Sequence, residues 1–354
     1  MVAARAVFTS IGGLATALAL AAPSCKPNLD QTVSVVTEPI VLAVRSDPPE
    51  AAPPATVKYT ALYVDGSGPI ATVPVDWAFC EARKPLAELG PVNTECLEAS
   101  GPWFVPIGEG SPVSGPLPAD GCKLFGPDVP PPVMNQPQGR PVDPDSTGGY
   151  YEPVRLLAPD GTVTIDETRL SCGPGGVASD VEVDYAHRYH LNTNPSVDSL
   201  SILGDGAAGA PLAMSDQGVN AASPGEHLEL RVAWSKCPTT DVCMDGVCGP
   251  DETSDSCPAD CKSPKGCTGA ERFVVFDITS QSLVDQRESI AVAWYTTTGA
   301  SVDTDRTGRD SADLTVTSDN GWRAPSAPGL AHLWVVLRDD RGGVGWAEYV
   351  FDVK

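Results

Sequence analysis

The stretch Gly329-Leu330-Ala331-His332-Leu333-Trp334-Val335-Val336-Leu337-Arg338-Asp339-Asp340-Arg341-Gly342-Gly343, continued by Trp346-Ala347-Glu348-Tyr349-Val350-Phe351-Asp352-Val353, decides the fold. Read at period two, Ala331, Leu333, Val335 and Leu337 fall on one face of a strand, and Ala347, Tyr349, Phe351 and Val353 do the same on the next. The Asp and Gly residues between them supply a turn, so the segment is a β-hairpin with one apolar face. The opposite face carries His332, Trp334 and Trp346. Two adjacent outward tryptophans form a candidate binding surface for sugar rings or a partner protein, unless the rest of the chain covers them.

Working back from this hairpin, residues 197–203, 227–234, 272–278, 289–295 and 312–317 are further strand candidates separated by turn signals. With the hairpin they make seven short strands, the pattern of a β-sandwich, and Trp234 and Trp294 each close a strand as core anchors. Upstream, residues 40–44 and 56–64 are β-rich around a Pro48-Pro49 break, and Val73, Val75, Trp77 and Phe79 line one face of another strand. The segment from Glu81 to Gly149 is rich in Pro and Gly and reads as long arms pinned by Cys80, Cys96 and Cys122. Residues 150–157, 161–166 and 181–191 complete the strands of this first module. The expected fold is all-β: a first sandwich over residues 34–190 with Pro/Gly-rich insertions, and a second over residues 191–354 interrupted by a cysteine-rich insert at 237–267.

Composition agrees. The chain has 354 residues with 34 Gly and 35 Pro, which disfavours long helices. With 46 acidic against 23 basic side chains and a net charge of −23, it lacks the clustered Lys and Arg that nucleic-acid binding needs.

Residues 1–24 have the form of a signal peptide, with Arg5, an apolar stretch from Ile11 to Ala22 and small residues before Cys25. The string Ala22-Pro23-Ser24-Cys25 resembles the lipobox of bacterial lipoproteins, which implies lipidation of Cys25, a tether over residues 25–33 and a membrane partner through the lipid. Ordinary cleavage after Ala21 is the alternative. Of 11 cysteines, removing Cys25 leaves an even ten (80, 96, 122, 172, 237, 243, 248, 257, 261 and 267), suited to disulfides in an oxidising compartment. Cys80 with Cys96 and Cys122 with Cys172 is the working pairing among three permitted connectivities.

Trp322-Arg323-Ala324-Pro325 followed by the 329–343 string resembles the last hairpin of bacterial immunoglobulin-like and PKD-like domains. That resemblance implies a fold and leaves function open. Cys243-Met244-Asp245-Gly246-Val247-Cys248 through Cys257-Pro258-Ala259-Asp260-Cys261 resembles small C-x-[DN]-G-x-C modules of secreted bacterial proteins. Disulfides are expected there in preference to zinc. Asp245, Glu252 and Asp260 are candidate calcium ligands, the alternative being a disulfide knob with solvated acids, and the Asp303–Asp313 segment is a second calcium candidate.

The four histidines, 187, 190, 227 and 332, carry no catalytic spacing, His187 and His190 being expected on opposite faces of a strand. No hydrolase or nucleotide-binding motif is present. The expected function is a cell-surface, outer-membrane lipoprotein with a structural or protein-interaction role and no catalysis. The alternative is a secreted carbohydrate-binding or accessory module of an extracellular complex.

Overall fold

The computed structural model describes residues 33–72, 74–83, 92–126 and 149–354. The longer strands are β1 (Ile40–Asp47), β2 (Thr56–Asp65), β3 (Asp76–Cys80), β4 (Phe104–Glu109), β5 (Gly149–Leu157) and β6 (Val163–Ser171). After helix α1 (Ser179–Arg188) come β7 (Val197–Gly204), β8 (His227–Trp234), β9 (Arg272–Asp277), β10 (Ser282–Arg287), β11 (Ile290–Thr297), β12 (Thr317–Arg323), β13 (Gly329–Asp339) and β14 (Val344–Val353).

Two sandwiches result. In the first, the sheet Glu50–Ala51, β6, β5, β3, β4 faces a smaller sheet built on β1 and β2. Trp77, Phe79, Val154, Leu156 and Leu170 of one sheet interlock with Val44, Val57 and Tyr59 of the other. In the second, the sheet Val35–Val36, β11, β13, β14, Asn220–Ala222 faces the sheet Ala207–Pro211, β7, β8, β12, Ser301–Val302. Ile290, Val292, Trp294, Leu333, Val335, Tyr349 and Phe351 pack there on Leu200, Leu230, Val232, Trp234 and Trp322. This is the all-β, two-sandwich architecture expected, with the cysteine-rich insert standing between β8 and β9.

The sandwiches share a third core. The outer face of β1 and β2, through Leu42, Ala43, Leu62 and Val64, lies on the outer face of β11, β13 and β14, through Ala293, Trp334, Val336 and Val344. A register irregularity between Val41 and Ala43 lets β1 place consecutive residues toward this second interface. Four sheets are therefore stacked, and the sheet carrying β13 is covered on both faces. That explains why β13 is buried almost continuously from Ala331 to Leu337.

Several local expectations are corrected. Residues 181–191 do not form a strand: α1 occupies most of them, because Asp180 and Glu182 sit in its first turn, His187 and Arg188 in its last, and Asp184 pairs with Arg188 one turn on. The alternation of Val181, Val183 and Tyr185 is compatible with a strand, but Val183 is exposed and only Tyr185 is buried. The expected strand at 312–317 is displaced to β12, which runs through Trp322, and the hairpin partner β10 was unanticipated.

Candidate functional site

The outward tryptophans come first. Trp334 is completely buried, sandwiched by the β1–β2 sheet, and its ring stacks on His332 at 5.6 Å between centroids. His332 in turn donates from Nδ1 to Glu348 Oε1 at 2.8 Å, and its ring fills the space over Gly68, where a Cβ would meet Cε1 at 2.8 Å. Trp346 is half-buried with the Arg45 guanidinium 5.1 Å from its ring. The face expected to meet a ligand is thus an internal interface: the first module covers it, since an apolar Trp pair gains most by leaving water.

Each candidate calcium ligand is engaged by backbone amides. Asp260, 6% exposed, accepts from Met244 N at 2.6 Å and Gly246 N at 3.2 Å. Glu252 accepts from Gly249 N at 3.0 Å, and Asp245 from Val247 N at 3.0 Å. The carboxylates hold the turns of the insert, satisfying donors that a disulfide-dense loop cannot pair in a ladder. Carboxylate oxygens of Glu252 and Asp260 come within 4.8 Å of each other in a group that does not include Asp245. In the second calcium candidate Arg306–Arg309 is a strand on β11, Asp303 turns to His227 and Asp305 to Ser34.

The ten cysteines of residues 80–267 form five disulfides: Cys80–Cys96, Cys122–Cys172, Cys237–Cys267, Cys243–Cys257 and Cys248–Cys261. The first two are the working pairing. Cys25 lies outside the described residues.

What sequence reasoning missed is the ionic centre where the modules meet. Arg341, in the β13–β14 turn, is 2% exposed. Its Nε donates to Glu288 Oε1 at 2.6 Å, its Nη2 to Glu271 Oε1 at 2.5 Å and its Nη1 to the His190 carbonyl at 3.1 Å. Glu50 of the first module lies 3.9 Å from Nη1 and 3.4 Å from Arg169 Nε. The Tyr189 hydroxyl donates to Glu50 at 2.7 Å, as does the Asn192 amide at 3.0 Å. Asp339 accepts from Arg341 N, Gly343 N and Asn192 Nδ2. Residues of both modules and of the connection after α1 thus converge on one sealed cluster.

Four carboxylates, Glu50, Glu271, Glu288 and Asp339, face two guanidiniums, Arg169 and Arg341, all nearly or fully buried. The excess of acid has a visible effect. Burial pushes Glu271 up to about 6 against the pull of Arg341, and burial drives Glu288 well above the usual carboxylate range, with Asp339 and Glu271 adding to the rise. The signal in sequence was slight, because Asp339-Asp340-Arg341-Gly342-Gly343 has the composition of a solvated turn.

Beside this centre a small cleft separates the insert from the connection. It is lined by His190, Asp241, Cys248, Glu252, Glu271 and Arg272. His190 Nε2 lies 3.1 Å from the Gly249 carbonyl and 3.3 Å from Cys248 Sγ.

No family model matches the chain, and no curated protein matches it. Among solved structures, the chain is similar to the fibronectin(III)-like modules of Clostridium thermocellum CbhA at 11% identity, covering 88% of this chain and 94% of that one with a TM-score of 0.19. A red sea bream transglutaminase matches at 11% identity over 90% of this chain and 32% of its own, with a TM-score of 0.21. The Yersinia pseudotuberculosis adhesin InvE matches at 10% over 88% and 58%, with a TM-score of 0.20. At these TM-scores the architecture stands on its own sheets and cores.

Proposed function

We propose that this chain is an exported lipoprotein, tethered at Cys25 to the outer membrane or cell surface, with a structural or protein-interaction role and no catalysis. The observation that carries the reading is the cysteine arithmetic: ten cysteines close five disulfides, and the one left over, Cys25, stands in the lipobox-like string. Five disulfides favour an oxidising compartment over the cytosol. Among the described residues no helix is long and apolar enough to cross a membrane, so attachment in this reading falls to the lipid. The four-sheet stack supports a rigid spacer or display role, since the modules are fused by a shared core and a shared ionic centre. The sugar-binding alternative loses its platform with Trp334 buried.

The test is the intact mass of the protein from its native host's membrane fraction, with thiols alkylated before and after reduction. The expected result is a diacylglyceryl adduct on an N-terminal Cys25, no alkylation before reduction and ten sites after it. A chain starting near Ala22 with Cys25 alkylated and unlipidated overturns the tether.

A further inference from the structure

The five disulfides differ in what surrounds their sulfurs, and the difference is chemical. Thiol–disulfide exchange is governed by how well the departing sulfur is stabilised as a thiolate, and by access. In Cys243–Cys257, Cys257 Sγ lies 3.4 Å from the Asp260 carboxylate, whose charge opposes a thiolate there. Cys80 and Cys96 are completely buried. In Cys248–Cys261, by contrast, His190 Nε2 stands 3.3 Å from Cys248 Sγ, and one ring nitrogen and both sulfurs fall within 4.8 Å of one another. Among the described residues no other histidine is hydrogen-bonded to a cystine sulfur. The Gly249 carbonyl can only accept, so at 3.1 Å it places the ring proton on Nε2, and that one N–H is shared between the Gly249 oxygen and Cys248 Sγ.

We propose that Cys248–Cys261 is an exchangeable disulfide, a site of thiol–disulfide exchange with a dithiol, and that His190 holds the departing sulfur. An incoming thiolate bonds to Cys261 Sγ, the bond between Cys261 and Cys248 breaks, and its electron pair leaves on Cys248 Sγ, which accepts the His190 Nε2–H hydrogen bond. The second thiol of the reagent then attacks the mixed disulfide, releasing Cys261. The dithiol is oxidised to its own disulfide, and the chain gains two electrons and two protons as two thiols. Cys261 is 8% exposed as a residue, and its partner Cys248 lines the cleft.

The position of His190 gives the exchange a consequence. Its ring holds the insert through Gly249, while its backbone carbonyl holds Arg341 at the ionic centre. The insert is fastened further by Arg188, which donates to the Pro250 carbonyl at 3.2 Å and pairs with Asp251 at 2.9 Å. Opening Cys248–Cys261 removes one of the two disulfides that hold the segment between them, leaving Cys243–Cys257 and the Arg188 contacts as its remaining ties, and so loosens the insert on this footing without breaking either sandwich.

The experiment is timed reduction of the full chain with dithiothreitol at neutral pH, quenched with iodoacetamide and read by peptide mapping. Cys248 and Cys261 are expected to be alkylated together and first, at least about tenfold faster than Cys243 and Cys257, the expected margin for a thiolate that gains a hydrogen bond. Solvent exposure alone predicts the reverse order, because Cys243 is exposed and Cys248 buried. His190→Ala should slow the Cys248–Cys261 pair about tenfold with the other four unchanged, and His190→Gln, which keeps an N–H donor, should recover part of the rate. Cys243–Cys257 opening first in the wild type overturns the proposal, as does a folded His190→Ala that keeps both the order and the rates. The wild-type order decides the matter if the alanine variant does not fold.

Discussion

Arg341 Nε meets Glu288 Oε1 at 2.6 Å with the two side chains 2% and 0% exposed, so the guanidinium that closes the β13–β14 turn is also the cation at the seam of the two sandwiches. Removing one member of such a buried network strands the other charges. Arg341→Ala should therefore cost about 3–5 kcal/mol or more, because three or four carboxylates lose their shared partner. Chemical denaturation of the variant checks this, and a loss below about 1 kcal/mol would mean that the cluster is already neutralised by bound protons.

The same cluster sets a pH dependence. Glu271 rises to about 6 in the folded chain from an ordinary 4.5, so the folded state holds its proton more tightly than the unfolded state does. Its contribution is fully present below about pH 4.5 and is lost as pH rises through about 6. A displacement of that size corresponds to roughly 2 kcal/mol. Urea midpoints between pH 4.5 and 7 should fall with rising pH more steeply in the wild type than in Glu271→Gln. Equal slopes would locate the titration elsewhere.

Trp334→Ala removes the largest side chain of the inter-sandwich core. The expected loss is about 3–5 kcal/mol, the range for deleting a buried Trp. Because the contact is between modules, calorimetry should also show the single transition broadening or splitting in two. An unchanged melting profile would show the modules to be independent.

Asp260→Asn tests what the acids of the insert do. Losing a charge-assisted acceptor of two backbone amides should destabilise the insert by about 1–3 kcal/mol with or without calcium. Hydrogen exchange at Met244 and Gly246 reads this directly. Melting of the wild type at millimolar calcium and in chelator should coincide; a clear rise with calcium would instead assign Glu252 and Asp260 to a cation.

Sequence carried the sandwiches because alternation is a local property: Ala331, Leu333, Val335 and Leu337 declare their face without reference to anything else. Parity showed that ten cysteines could all pair, but it does not choose partners: Cys80–Cys96 and Cys122–Cys172 were one connectivity of three, and the three pairings of the insert came only with the fold. The sequence held one clue that period-two reading passes over, the unbroken run Leu333-Trp334-Val335-Val336-Leu337, which is the composition of a strand buried on both faces. The ionic centre was out of reach for a different reason. Glu50, Arg169, Glu271, Glu288 and Arg341 are distributed along most of the chain, and a charged residue destined for burial is written in the same letters as a solvated one. Only the fold distinguishes them. The helix at Ser179–Arg188 was hidden by an alternation shared with strands, and its end charges were the better guide.

Val35 and Val36 run parallel to β11, in register with Thr296 and Thr297, and Ser34 accepts from the Thr296 amide at 2.8 Å. Tension applied to the chain ahead of Val33 therefore does not reach the first sandwich first. It enters the sheet of the second, through the short parallel pairing with β11 and the Thr298 hydroxyl bond to the Val36 carbonyl at 3.1 Å. A pull on Val33 is thus met first by the sandwich that lies farther along the chain, and reaches the nearer one through the core and the ionic centre that the two share.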